Sequence, residues 1–114
     1  MADGYPFEQT GVNLSPSGLS TTKTTLSAVG LTPAFTPIAG RPFNVAHKPA
    51  IDFSGTYQLE KKFVGDATWY VAMGYADLQS LPESFPLTET EVGVSYRWNL
   101  TAYTAGNLVT RFSA

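Results

Sequence analysis

The sequence predicts an all-β protein, a small antiparallel β-sandwich or barrel of about 6–8 strands, preceded by an extended N-terminal arm. Three observations carry this expectation. Apolar and polar residues alternate in several stretches, prolines and glycines punctuate the chain between them, and no window of about ten residues shows a helical apolar stripe. The chain has 114 residues, 43 % of them hydrophobic and 13 % aromatic, which fits one folded domain with a modest accessory segment.

Composition divides the chain near Gly40. Residues 1–40 hold 7 Thr, 4 Ser, 5 Gly and 4 Pro but only three charged residues, Asp3, Glu8 and Lys23. Phe7, Leu14, Leu19, Leu26, Val29, Leu31, Phe35 and Ile38 are scattered among these turn formers. Pro16, Pro33 and Pro37 remove backbone donors and bias their predecessors to extended geometry. The segment reads as an arm able to reach roughly 130–140 Å when fully extended, with Leu19, Leu26, Leu31, Phe35 and Ile38 as candidate contacts to a partner. The alternative is a tail packed on its own domain, with one strand at Thr24–Val29.

Residues 41–114 read as the β-domain. Phe43–His47 is a short alternating strand. In Gly55–Phe63, Tyr57, Leu59 and Phe63 share one face, and Lys61 interrupts it near the strand end, where a long stem can carry the ammonium to water. Thr68–Met73 places Trp69, Val71 and Met73 in register, and Val94–Tyr103 does the same for Val94, Tyr96, Trp98, Leu100 and Ala102. Both tryptophans therefore read as core, whereas Tyr70 and Tyr103 fall on the opposite faces and are candidate surface contacts. A weaker strand is expected at Leu87–Val92. Asn107–Phe112 forms a terminal hairpin with its predecessor through Thr104-Ala105-Gly106.

The residues that chemistry requires are scarce. There is no cysteine, which excludes disulfides and thiolate metal sites, and no clustered metal ligands or cofactor-binding motif can be read. The single histidine, His47, lies within an apolar strand and reads as structural. Glu89 and Glu91 read as exposed strand charges, and no nucleophile–base constellation emerges, so no catalytic residue is assigned and an enzyme is not expected. A net charge of −2 argues against nucleic acid as the main ligand. No run of 18 apolar residues and no signal-like N-terminus is present, so a membrane partner is not expected. A domain of this size without disulfides or metal gains little net stability from its own core, which points to association with itself or with a larger assembly.

Four stretches resemble a known family. Phe63-Val64-Gly65-Asp66-Ala67-Thr68-Trp69 is similar to the Asp-Gly-Gly-Ala-Thr-Trp hairpin of small tailed-bacteriophage virion proteins. Ile38-Ala39-Gly40-Arg41-Pro42-Phe43-Asn44 resembles the start of the same β-domain, Gly55-Thr56-Tyr57-Gln58-Leu59-Glu60 its first long strand, and the stretch from Tyr96 to Gly106 its closing hairpin. Order and spacing agree across residues 38–114. Where the family has Asp-Gly-Gly this chain has Val64-Gly65-Asp66, and a hairpin is still expected.

The resemblance implies a structural virion protein, assembled in the bacterial host cytoplasm, most simply a capsid decoration or cement protein. Its partners would be the major capsid protein or other virion proteins, with self-association as a trimer or dimer. A tail, collar or head-fibre attachment component is the runner-up. A carbohydrate-binding module is the reading from a different class, with Tyr70, Tyr75 and Tyr103 as its stacking residues.

Overall fold

The computed structural model describes residues 11–14, 20–76 and 82–114. Nine strands are defined among them: β1 (Gly11–Leu14), β2 (Ser20–Leu26), β3 (Gly30–Leu31), β4 (Pro42–Pro49), β5 (Ser54–Lys62), β6 (Tyr70–Ala76), β7 (Glu83–Thr88), β8 (Ser95–Ala105) and β9 (Leu108–Ser113). No described residue is helical. The strands make two antiparallel sheets, one of five in the order β1-β2-β9-β4-β7 and one of four in the order β3-β8-β5-β6. The fold is a small β-sandwich.

Alternation builds the core. β4 turns Phe43, Val45 and His47 inward, β5 contributes Tyr57 and Leu59, β8 contributes Tyr96, Trp98 and Leu100, and β9 contributes Leu108, Thr110 and Phe112. Aromatic rings lock these rows together. Phe35 stacks on Phe112 with centroids 5.4 Å apart and lies 5.6 Å from Phe43, while Trp98 meets the edge of Tyr57 at 5.6 Å. Such pairs contribute about 0.5–1.5 kcal/mol each beyond the area they bury.

The compositional break at Gly40 is not a boundary of the sandwich. β2 runs between β1 and β9, β3 pairs with β8, and Phe35 exchanges both backbone hydrogen bonds with Tyr96 at 2.8 Å. Residues 20–40 are thus part of the domain, which corrects the expected division into an arm over 1–40 and a domain over 41–114. The physical reason lies in β2. Its inward positions are Thr22, Thr24 and Leu26, so two of the three carry hydroxyls and the period of two shows little hydrophobic contrast. The buried Thr22 and Thr24 hydroxyls find no hydrogen-bond partner among the described residues.

Two bulges reverse the alternation that the sequence suggests. On β6, Met73 stands opposite Leu59 but Val71 stands opposite Glu60, so Ala72 is the extra residue. Val71 is thereby placed on the outer face and Met73 on the inner one. On β8, Leu100 pairs with Tyr57 and Ala102 with Thr56, leaving Thr101 extra. Tyr103, expected to face outward, packs instead against the edge of the core.

Two turns are set by glycine. Gly106 closes the β8–β9 hairpin at φ 83°, and a Cβ there would lie 2.5 Å from the Phe53 Cα. Gly65 sits at φ 79° in the β5–β6 hairpin, where Asp66 N–H donates to the Phe63 carbonyl at 3.1 Å. The weak strand expected at Leu87–Val92 lies earlier, at Glu83–Thr88. Pro86 is tolerated there because β7 is an edge strand, and Gly93 at φ 83° ends the turn that follows.

Candidate functional site

Two buried polar clusters hold the sheets together. His47 lies inside the sandwich with Nδ1 2.7 Å from the Tyr57 hydroxyl and Nε2 3.0 Å from Glu83 Oε1. A neutral ring satisfies both when Nε2–H donates to the carboxylate and Nδ1 accepts from Tyr57. Burial depresses the His47 pKa below 6.5, outweighing the opposing pull of Glu83. Tyr57 and His47 are closed off from solvent, whereas the Glu83 side chain is about half exposed. His47 packs in the core between Tyr57 and Glu83, on the inward face of its apolar strand.

The second cluster corrects the reading of Glu89. It is buried, not an exposed strand charge: its Oε1 accepts from Lys61 Nζ at 3.0 Å and from the Tyr96 hydroxyl at 2.7 Å, and its Oε2 accepts from Glu91 N–H at 3.2 Å. Burial alone would raise its pKa, but these donors prevail and hold it below 4.5. The interruption of the β5 apolar face by Lys61 therefore has an internal partner, with the ammonium also lying 5.3 Å from the centre of the Phe63 ring.

The outer face of the four-stranded sheet carries a third polar cluster. Glu60 accepts from Arg97 Nε at 2.7 Å, from Asn99 Nδ2 at 2.9 Å and from Gln58 Nε2. Burial pushes the Glu60 pKa up, and the three hydrogen bonds together bring it below 4.5. Trp69 covers this cluster, with the Arg97 guanidinium carbon 4.0 Å from its ring centre and Lys62 Nζ at 5.8 Å. Trp69 is thus an outer-face residue and not part of the core, a consequence of the Ala72 bulge.

Beside this cluster runs β6, the edge of its sheet. Sandwich edges are normally blunted by charge, proline or shortness. β7 carries Glu83 and Pro86, β3 has two residues and β1 four. β6 has seven residues, Tyr-Val-Ala-Met-Gly-Tyr-Ala, with no charge and no proline. Tyr70, Val71 and Met73 are 46 %, 59 % and 37 % exposed along it. Among the described residues it pairs with β5 alone, so one row of its backbone donors and acceptors faces outward.

The expected contact residues are not brought together. Leu26 and Phe35 are core, which overturns their assignment to a partner, and Leu19 lies outside the described residues. Leu31 and Ile38 are about half exposed. Tyr70 donates its hydroxyl to Asp66 at 3.0 Å at one end of the four-stranded sheet, opposite Lys61, while Tyr103 stands opposite Gly55 at the other end. Six residues of strand separate those positions, about 20 Å. Tyr75 packs inward, 4.3 Å from His47 between ring centres. The three tyrosines therefore form no common stacking platform.

Val71 and Met73 are the surface residues that sequence reasoning missed. Their signal is the uncharged, proline-free run over 70–76, which becomes meaningful only once the topology puts it at an edge. Among the described residues no group of three or more His, Asp or Glu side chains could hold a metal ion. Compared with protein-family models, curated proteins and solved structures, the chain gives no match.

Proposed function

We propose that the protein is a structural virion component of a tailed bacteriophage, a decoration or cement protein that docks on the head shell. The observation that carries this reading is the β6 edge, where exposed Tyr70, Val71 and Met73 flank backbone groups that no described residue pairs. Such an edge recruits a strand from a neighbouring protein: main-chain hydrogen bonds supply affinity and alternate side chains supply fit. The resemblance of residues 38–114 to phage virion β-domains supports the same reading. The shell partner would be the major capsid protein, and a second copy of this chain could use the edge to form the dimer or trimer that places several copies side by side. The scattered tyrosines give the carbohydrate-binding alternative no support.

Electron microscopy of particles carrying the parent protein or Val71→Lys tests the proposal. Density distributed over the head surface, lost with Val71→Lys, is the expected result. Density confined to a single vertex or to the tail would move the assignment to an attachment component. Particles without the protein would overturn a virion role.

A further inference from the structure

The opposite side of the sandwich is chemically different. A cleft of about 350 Å³ opens on the outer face of the five-stranded sheet, lined by Lys23 and Thr25 of β2, Ala46 and Lys48 of β4, and Val109, Thr110 and Arg111 of β9. It collects three of the seven Lys and Arg residues of a chain whose net charge is −2. Lys23, Lys48 and Arg111 are exposed and make no ion pair with a described residue. The outward positions of β2, β9, β4 and β7 carry no carboxylate.

The register sharpens this. Lys23 and Arg111 are direct cross-strand partners, an arrangement of like charges that destabilises a sheet. By contrast, Lys61 and Arg97 on the other sheet each have a glutamate. One rung further along, Lys48 stands opposite Val109. The two rungs are about 7 Å apart along the strands, and β2 and β4 are about 10 Å apart across β9. Alternate side chains of an extended peptide repeat with the same step of about 7 Å.

We propose that this cleft binds an acidic protein segment in extended conformation, with carboxylates at alternate residues facing the Lys23–Arg111 pair and Lys48. Ala46 and Val109 supply an apolar floor for the methylenes of Asp or Glu. Nucleic acid fits less well, because the lining has no aromatic ring on which a base could stack and only three cations to neutralise phosphates. The inference rests on the reading of the protein as a docking component. It adds the chemistry of a second partner surface, on the sheet that does not contain the β6 edge, so the two contacts can be made at once.

The test is a titration of the free, full-length protein at low salt by amide chemical shifts. Three probes are used: the blocked peptide Thr-Glu-Thr-Glu-Thr-Glu, its glutamine analogue, and a short oligothymidylate. The acidic peptide should shift amides of Lys23, Thr25, Ala46, Lys48, Val109 and Arg111, and added salt should weaken it. Combined Lys23→Gln, Lys48→Gln and Arg111→Gln substitution should weaken it about tenfold or more. Equal binding of the glutamine peptide, undiminished binding by the triple variant, or tighter binding of oligothymidylate would overturn the inference. Loss of peptide binding with particle docking retained removes only the cleft. Peptide binding without particle docking removes only the virion assignment.

Discussion

The guanidinium of Arg97 is held between two partners, Glu60 at 2.7 Å and the Trp69 ring at 4.0 Å, so a charge pair on the outside of a sheet is largely closed off from water. Arg97→Ala leaves the Glu60 carboxylate buried with two neutral donors. It should cost about 2 kcal/mol in urea unfolding. Trp69→Ala should cost about 1 kcal/mol. The double variant should cost less than the sum, because both substitutions break one cluster. Lys62→Ala, at the cluster's margin, should stay within about 0.5 kcal/mol of the parent.

Gly106 and Gly65 share a left-handed backbone but not surroundings. A Cβ at Gly65 meets open space, so Gly65→Ala should cost about 1 kcal/mol from backbone strain alone. At Gly106 the Cβ would collide with the Phe53 backbone, and Gly106→Ala should cost about 3 kcal/mol or more. Equal melting temperatures for the two variants would contradict the described packing of Phe53.

Acidification should weaken the fold for two separate reasons. The folded pKa of His47 lies below 6.5, so between that folded value and 6.5 the unfolded chain binds more protons, and stability falls as pH drops from 6.5. Glu60 and Glu89 are depressed below 4.5, so their contribution is fully present above 4.5 and is lost as pH falls through their folded values. Thermal melts across pH should show the decline that begins at 6.5 abolished in His47→Gln, with the decline below 4.5 retained.

Removing residues 1–37 should abolish folding. The truncation deletes β1, β2 and β3 and takes Phe35 off Phe43 and Phe112. Far-UV circular dichroism and amide dispersion of the truncated chain should be those of an unfolded protein. Native dispersion would mean that β2 and β3 are dispensable to the sandwich.

The strands legible in the sequence are those whose inward positions are mostly apolar, with His47 of β4 and Thr110 of β9 as the exceptions. β4, β9 and the first half of β8 combine alternation with large aliphatic or aromatic side chains, and the strand bounds are recovered within about two residues. β2 was hidden because threonine supplies two of its buried positions. Trp69, Val71 and Tyr103 lie on the faces opposite to those the alternation predicts, because a single extra residue, Ala72 or Thr101, changes the phase of a period-two pattern without leaving a mark in composition. The candidate surfaces were less legible still. Whether Tyr70–Ala76 is an edge, and whether Lys23 stands beside Arg111, depends on pairings between distant segments. Lys23 and Arg111 are 88 positions apart in the numbering but are direct partners in the sheet.

The placement of β9 between β2 and β4 governs the order in which the molecule can be made. Thr110 donates to the Thr24 carbonyl across 86 residues of chain, a loop whose closure costs about 4 kcal/mol beyond a length-independent constant. During synthesis, β2 and β4 leave the ribosome with the strand that joins them still untranslated. The five-stranded sheet stays divided into a β1–β2 pair and a β4–β7 pair until residues 108–113 emerge. Folding of the sandwich therefore waits until β9 has been made, and it proceeds slowly for a domain of this size because non-local pairing must precede the burial that rewards it. In a cell producing many copies at once, that interval is when the uncharged β6 segment is most exposed to wrong partners.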